Sequence, residues 1–313
     1  MSLDITADAV ARLVAAQFPQ WAHLPVAAVS HGGWDNHTFR LGDELLARLP
    51  SVGAYVAQVE KEHRWLPVLA RHLPLPIPEP VAMGSPDDGF PYPWSIYRWI
   101  DGHQAGGAQI SDLTHLAGDL AGFLGALYAI DASDGPIPGK HNFFRGGPLD
   151  TYDAQVRESL SALAGEIDAT AATATWDAAL ASTWDDPPVW VHGDVAPSNL
   201  LVLDGRLRAV IDFGCTAVGD PACDLVIVWT FFEGESRDVF RRSLPFDDAT
   251  WARGRGWALW KSLITLVEDR QAPASAAHRF GWRSSSRAIV DAVVAEHRPL
   301  ELTRRCASVS GWS

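Results

Sequence analysis

The stretch from Val189 to Gly214 constrains this chain more than any other. Val189-Trp190-Val191 is a short apolar run with β-branched ends, the pattern of a buried strand. His192-Gly193 ends it, and Pro197-Ser198 keeps the following residues irregular. Asn199 leads into a second apolar run, Leu200-Leu201-Val202-Leu203. Asp204-Gly205 is a two-residue hairpin signal, and Arg208-Ala209-Val210-Ile211 returns antiparallel. Such a hairpin carries Asp212 back beside Asn199, with Asp194 in the loop just ahead of them.

The spacing is His192-x-Asp194-x-x-x-x-Asn199, then Asp212-Phe213-Gly214. Oxygen-only ligands such as Asn199 and Asp212 suit Mg²⁺, which keeps several waters and binds substrate phosphates. Phosphoryl transfer from ATP asks for that pair plus one carboxylate, here Asp194, to orient the attacking hydroxyl. Any one of the three is ordinary alone: a hairpin Asp is usually part of a turn and a loop Asp usually a cap. All three at this spacing, joined by apolar strands, make a site. His192 reads as support for the loop through hydrogen bonding. Zinc is excluded by spacing, because no second His or Cys lies at a ligand interval.

This segment resembles the aminoglycoside phosphotransferase family, a branch of the protein-kinase-like fold. The likeness continues through Gly219-Asp220-Pro221-Ala222-Cys223-Asp224-Leu225 and, more weakly, back through most of the chain. It implies an α+β, two-lobed protein-kinase-like fold: an antiparallel sheet plus helix over residues 1–100, a hinge near 97–102, and a mainly helical lobe over 103–313. Where protein kinases carry Arg between His and Asp, this chain has Gly193. Only residues 213 to 219 separate Asp212 from Asp220, which leaves no room for a long activation loop. Both features point to a small-molecule acceptor and away from a protein substrate.

The other parts of such a nucleotide site follow in order. His31-Gly32-Gly33-Trp34-Asp35-Asn36 sits between the strands expected at Pro25–Ser30 and His37–Leu41, and Gly32 and Gly33 would let backbone N–H groups cover the phosphates. Leu45–Leu49 is the next strand. The resemblance asks for a Lys there, but the three lysines are Lys61, Lys140 and Lys261, so Arg48 takes the role of phosphate ligand. Tyr55–Leu69 has helical periodicity, with Glu62, Leu66 and Leu69 on one face. Glu62 is the expected ion-pair partner of Arg48, with Glu60 the alternative. Leu73–Pro80 is too rich in proline for a helix. Tyr92–Gly102 is an aromatic strand running into a turn, and the resemblance makes it the hinge, with the backbone around Tyr97 and Trp99 facing the purine of ATP or GTP.

Helices are expected over Ala7–Phe18, capped by Asp4 or Thr6, and over Leu113–Ile130, Tyr152–Ala164, Thr173–Thr183, Pro221–Phe232, Thr250–Asp269 and Pro273–Glu296. Asp220 and Pro221 form a cap and first-turn pair, and by resemblance Asp224 braces the catalytic loop. At 313 residues and 47% hydrophobic content the chain can build two lobes and a large core. It has no apolar run long enough for a membrane span and no basic leader, so a cytoplasmic enzyme is expected. Cys215, Cys223 and Cys306 have no metal spacing and fit a reducing compartment.

Net charge is −13: residues 1–100 hold 7 basic and 10 acidic residues, and 101–313 hold 18 and 28. Nucleic acid is thereby an unfavourable partner, and a cationic acceptor would be drawn to the second lobe. Glu233, Glu235, Glu268 and Asp269 are candidates for gripping an aminoglycoside, and Trp229, Trp257, Trp260 and Trp282 for walling its pocket. The expected activity is transfer of a γ-phosphoryl group to an aminoglycoside hydroxyl, hence antibiotic inactivation. A macrolide, homoserine, choline or sugar kinase is the alternative, with a catalytically inactive nucleotide-binding protein behind it. An aminoglycoside pocket should be lined by carboxylates and a macrolide pocket should be apolar.

Overall fold

Alternation of apolar and polar residues builds the first part of the fold. In β3 (Leu45–Pro50), Leu45, Ala47 and Leu49 point to one face and Leu46 and Arg48 to the other. The inward set packs with Phe39 of β2 (Asn36–Leu41), Trp94 and Ile96 of β5 (Trp94–Arg98), and Val10 and Leu13 of α1 (Ala7–Gln17). With β1 (Val26–Ala28) and β4 (Pro80–Gly84) these strands form an antiparallel sheet of order β1-β2-β3-β5-β4. The computed structural model describes residues 5–29, 35–270 and 280–297. Thr6 caps α1 by accepting from the Ala9 N–H; Asp4, the other candidate, lies outside the described residues. The helix α2 (Val56–Leu69) lies beneath the sheet and buries Glu62, Leu66 and Leu69, the face given by periodicity.

The second part is helical. Its core gathers α3 (Leu113–Tyr128), α4 (Asp153–Ala162), α5 (Ala169–Leu180) and α8 (Asp248–Asp269) around short strands. The strand β6 (His103–Gln104) pairs with β8 (Leu200–Leu203), which pairs with β9 (Arg206–Val210). The strand β7 (Val189–Val191) pairs with β10 (Ala217–Gly219). The short α6 (Ile227–Thr230), then α7 (Gly234–Ser243) and α9 (Ser286–His297), complete it. Among the described residues no helix is long and apolar enough to cross a membrane.

The helix expected over Thr173–Thr183 lies at Ala169–Leu180, and three departures are larger. Pro221–Val226 is a tight 3₁₀ turn followed by α6, in place of one α-helix over Pro221–Phe232. Such runs are normally shorter. Here both ends of the turn are held: Asp220 by Arg253, at 2.6 Å, and Asp224 by the His192 and Gly193 N–H groups. The helix expected over Pro273–Glu296 begins at Ser286; residues 271–279 lie outside the described residues, and Gly281 at φ +68° interrupts any helix between. Finally, α7 was not expected. It is mostly polar and is held by Arg237 and Arg241 on Glu296 of α9, each at 3.1 Å.

Candidate active site

The hairpin of β8 and β9 forms as its sequence dictates. Asp204 and Gly205 both take positive φ, 51° and 76°, as a tight hairpin turn requires. Leu200 then faces Val210, and the Ile211 N–H donates to the Asn199 carbonyl at 2.8 Å. Asn199 and Asp212 therefore share the base of one hairpin. The Asn199 amide donates to the Asp194 carbonyl at 2.9 Å, which leaves its side-chain oxygen as the end available to a cation. Asp212 sits in the left-handed region, φ 66°, a conformation that Asp tolerates better than most residues.

The loop carrying Asp194 is fixed by its backbone. Asp224 accepts from the N–H groups of His192, at 2.9 Å, and Gly193, at 2.7 Å. Burial raises the Asp224 pKa, against the lowering effect of these two N–H groups. His192 is buried; its Nε2 reaches the Ile211 carbonyl at 3.0 Å and its Nδ1 accepts from the Asp194 N–H at 3.2 Å. That pattern defines one neutral tautomer with both nitrogens engaged in holding the loop. Gly193 has φ +83°, and a Cβ there would run into the Cys215 carbonyl oxygen. Gly193→Ala should therefore cost about 2–4 kcal/mol of stability. Chemical denaturation measures this, and an unchanged midpoint would rule out the strain.

Across the cleft, Arg48 reaches two carboxylates. It bonds Glu62 at 3.0 and 3.2 Å and also pairs with Asp212. Glu62, not Glu60, is the partner, and its second oxygen accepts from the Tyr97 hydroxyl at 2.5 Å. Burial works against the Arg48 charge, but Asp212 and Glu62 outweigh it and hold the guanidinium protonated. Burial and Glu62 push the Tyr97 hydroxyl well above its usual range. The Tyr97 side chain thus belongs to the Arg48–Glu62 cluster. The Arg98 and Trp99 N–H groups are spent on the Glu79 and Glu44 carbonyls, at 2.9 and 2.8 Å, so neither is open to a purine. The Trp99 ring lies over Arg40, 4.4 Å from the guanidinium carbon. Gly32 and Gly33 lie outside the described residues. Asp35, just after them, has its pKa raised to about 6 by burial and by repulsion from Asp212, partly offset by Arg48.

Two cations beside Asp194 were not foreseen as site residues. Lys261, on α8, donates to Asp194 Oδ1 at 2.5 Å. Arg145 donates to the Tyr152 hydroxyl at 2.9 Å and lies 4.3 Å from the Trp260 ring centre. Burial would raise the Asp194 pKa, but Lys261 and Arg145 outweigh it and hold the carboxyl below its ordinary range. Another lysine, Lys61 on α2, ties the sheet part to the turn after Asp212 through the Gly214 and Thr216 carbonyls, at 2.7 and 3.0 Å.

With Asp194 as the acceptor of a hydroxyl proton, activity should be full above its lowered pKa and be lost as pH falls through it. Lys261→Met removes the strongest influence that opposes burial. The acid limb of kcat/KM should then move to higher pH, and a pH–rate profile that does not move would contradict the coupling.

Asp194 opens on a partly open pocket of about 220 Å³, its solvent mouth included, lined by Arg145, Gly193, Val195, Cys223, Val226, Trp257, Trp260 and Lys261. Trp257 and Trp260 wall it as expected; Trp229 and Trp282 do not. Glu233, Glu235, Glu268 and Asp269 are also absent from its lining. Glu233 is the N-cap residue ahead of α7, 3.9 Å from Arg283, Glu235 is in that helix's first turn, and Asp269 accepts from Ser286 at 2.7 Å. Asp194, Arg145 and Lys261 are the charged residues of this lining, so its local charge is opposite in sign to the chain's net charge.

A sheet lobe holding an Arg–Glu pair, set against a helical lobe whose loop and hairpin present Asp, Asn and Asp, defines a kinase-like phosphotransferase. The chain belongs to the phosphotransferase enzyme family, whose sequence profile matches residues 26–257. No curated protein matches it by sequence. Solved structures share its fold at low identity. The GDP and kanamycin complex of APH(2")-IIia is 19% identical, with 92% of this chain and 99% of that one covered and a TM-score of 0.70. The streptomycin–ATP–APH(2")-IIa ternary complex is 18% identical, with coverages of 89% and 99% and a TM-score of 0.57. Macrolide 2'-phosphotransferase MphH from Brachybacterium faecium is 22% identical, with coverages of 94% and 98% and a TM-score of 0.56.

Proposed function

We propose that this enzyme transfers the γ-phosphoryl group of ATP or GTP to a hydroxyl of a small molecule. The nucleotide would lie between residues 1–100 and 103–313, hinged near 97–102. The observation that carries this is the meeting of Asp194, Asn199 and Asp212 with the Arg48–Glu62 pair across one cleft. Asn199 and Asp212 are the residues that would hold Mg²⁺, an ion that neutralises phosphate charge and takes its remaining ligands from phosphate oxygens and water. The Asn199 amide nitrogen is anchored on Asp194, so its oxygen suits that role. Arg48 meets the phosphates, kept in place by Glu62 and Tyr97.

Asp194 accepts the hydrogen bond of the acceptor hydroxyl and then its proton. The hydroxyl oxygen forms a bond to the γ-phosphorus as the bond to the β-phosphate oxygen breaks, giving a phosphate monoester and a nucleoside diphosphate. Positioning and charge neutralisation carry most of the rate.

An aminoglycoside acceptor is supported by the neighbours described with kanamycin and streptomycin, and a macrolide by the third. The cavity charge runs against a polycation, and its arginine and lysine against a wholly apolar ligand. The test is a nucleotide-consumption screen with Mg·ATP and Mg·GTP against aminoglycosides, macrolides and small metabolic alcohols. Turnover that depends on acceptor and on Mg²⁺ is expected; nucleotide binding without turnover of any acceptor would favour an inactive nucleotide-binding protein.

A further inference from the structure

The side of the site that faces the acceptor has its own charge. Lys261 and Arg145 both line the cavity at Asp194, and Asp194 is the one carboxylate in that lining. Lys261 is already paired with it, at 2.5 Å. No carboxylate among the described residues lies within ion-pair distance of Arg145. Its guanidinium is held instead by the Tyr152 hydroxyl and lies against the rings of Tyr152, Trp257 and Trp260, at 5.6, 5.5 and 4.3 Å. An arginine fixed by aromatic faces at a cavity wall is preorganised for a planar or tetrahedral oxyanion, which it can grip through two parallel N–H donors. An ammonium group placed there would face two cations in a low-dielectric wall.

We propose that the acceptor is a small hydroxylated acid, whose carboxylate or phosphate is received by Arg145, with Lys261 beside it, while its hydroxyl rests on Asp194. This deepens the kinase function proposed above and rests on it. The transfer is unchanged: the hydroxyl oxygen gains the phosphoryl group, the proton passes to Asp194, and the acid group stays intact.

The experiment offers Mg·ATP and Mg·GTP with three acceptor sets. The acids are glycerate, gluconate and glycerol 3-phosphate; the neutral set is glycerol and glucose; the basic set is kanamycin and streptomycin. Transfer to an acid is expected, and carboxylate and phosphate acids report separately. For that acid, Arg145→Gln should raise KM about 30-fold and change kcat far less, with Arg145→Lys in between. Mg·ATP affinity checks that each variant is folded. Transfer confined to neutral or basic acceptors overturns the proposal and leaves the kinase function standing. So does normal Mg·ATP binding with no transfer to any acid. A kcat loss with unchanged KM would put the two cations on the transferring phosphoryl group and also overturn it. Absence of nucleotide binding by the wild-type enzyme overturns the kinase function itself.

Discussion

Asp194→Asn should lower kcat by about 10²–10⁴-fold, the usual worth of a positioned proton acceptor. The substitution keeps shape and removes the charge that orients the hydroxyl. It also leaves Lys261, whose side chain is only 11% exposed, beside a neutral amide. Removing one partner of a largely buried pair destabilises the fold, so some stability should be lost together with activity. The two effects separate in the double variant Asp194→Asn/Lys261→Met, which should regain stability and remain inactive. Recovery of turnover in that variant would mean that Asp194 acts only by pairing with the lysine. Nucleotide affinity should stay within a few-fold throughout, since Asp194 faces the acceptor.

Asp212→Asn should weaken binding of Mg·nucleotide by at least about 100-fold, because groups one shell further from a metal already cost 10–100-fold when lost. Asn is the informative substitution. Asp212 has φ 66°, and Asn accepts that conformation where Ala would add strain. The same change takes a charge from Arg48, which keeps Glu62. Nucleotide without Mg²⁺ should therefore bind the variant about as well as the wild type. Calorimetry with and without Mg²⁺ distinguishes the cases, and equal losses in both would mean that Asp212 serves Arg48 and not a metal.

What the sequence made legible was local. Asn199 and Asp212 are brought together by one hairpin, written in apolar runs and an Asp-Gly turn, so short-range rules suffice. Arg48 and Glu62 are 14 residues apart on neighbouring elements and were within reach of periodicity. Lys261 was visible as one of three lysines, but its partner Asp194 is 67 residues away and only the packing of α8 brings them together. Arg145 follows two residues of positive φ, Phe143 and Phe144, in an irregular turn with no period to read. Net charge reads differently again: it sums over the whole surface, whereas an acceptor meets only the few groups of one cavity. The Pro221–Val226 turn carried a correct cap signal, but its winding depends on Arg253 and the catalytic loop, both distant in sequence.

The most direct test of the central claim follows the γ-phosphorus. Enzyme, Mg²⁺ and γ-labelled ATP or GTP are incubated with the acceptor sets above, and the label is traced by chromatography in the wild type and in Asp194→Asn. The expected result is label in a small-molecule phosphate monoester made by the wild type and reduced at least about 100-fold in the variant. Equal label transfer by both proteins would contradict the account.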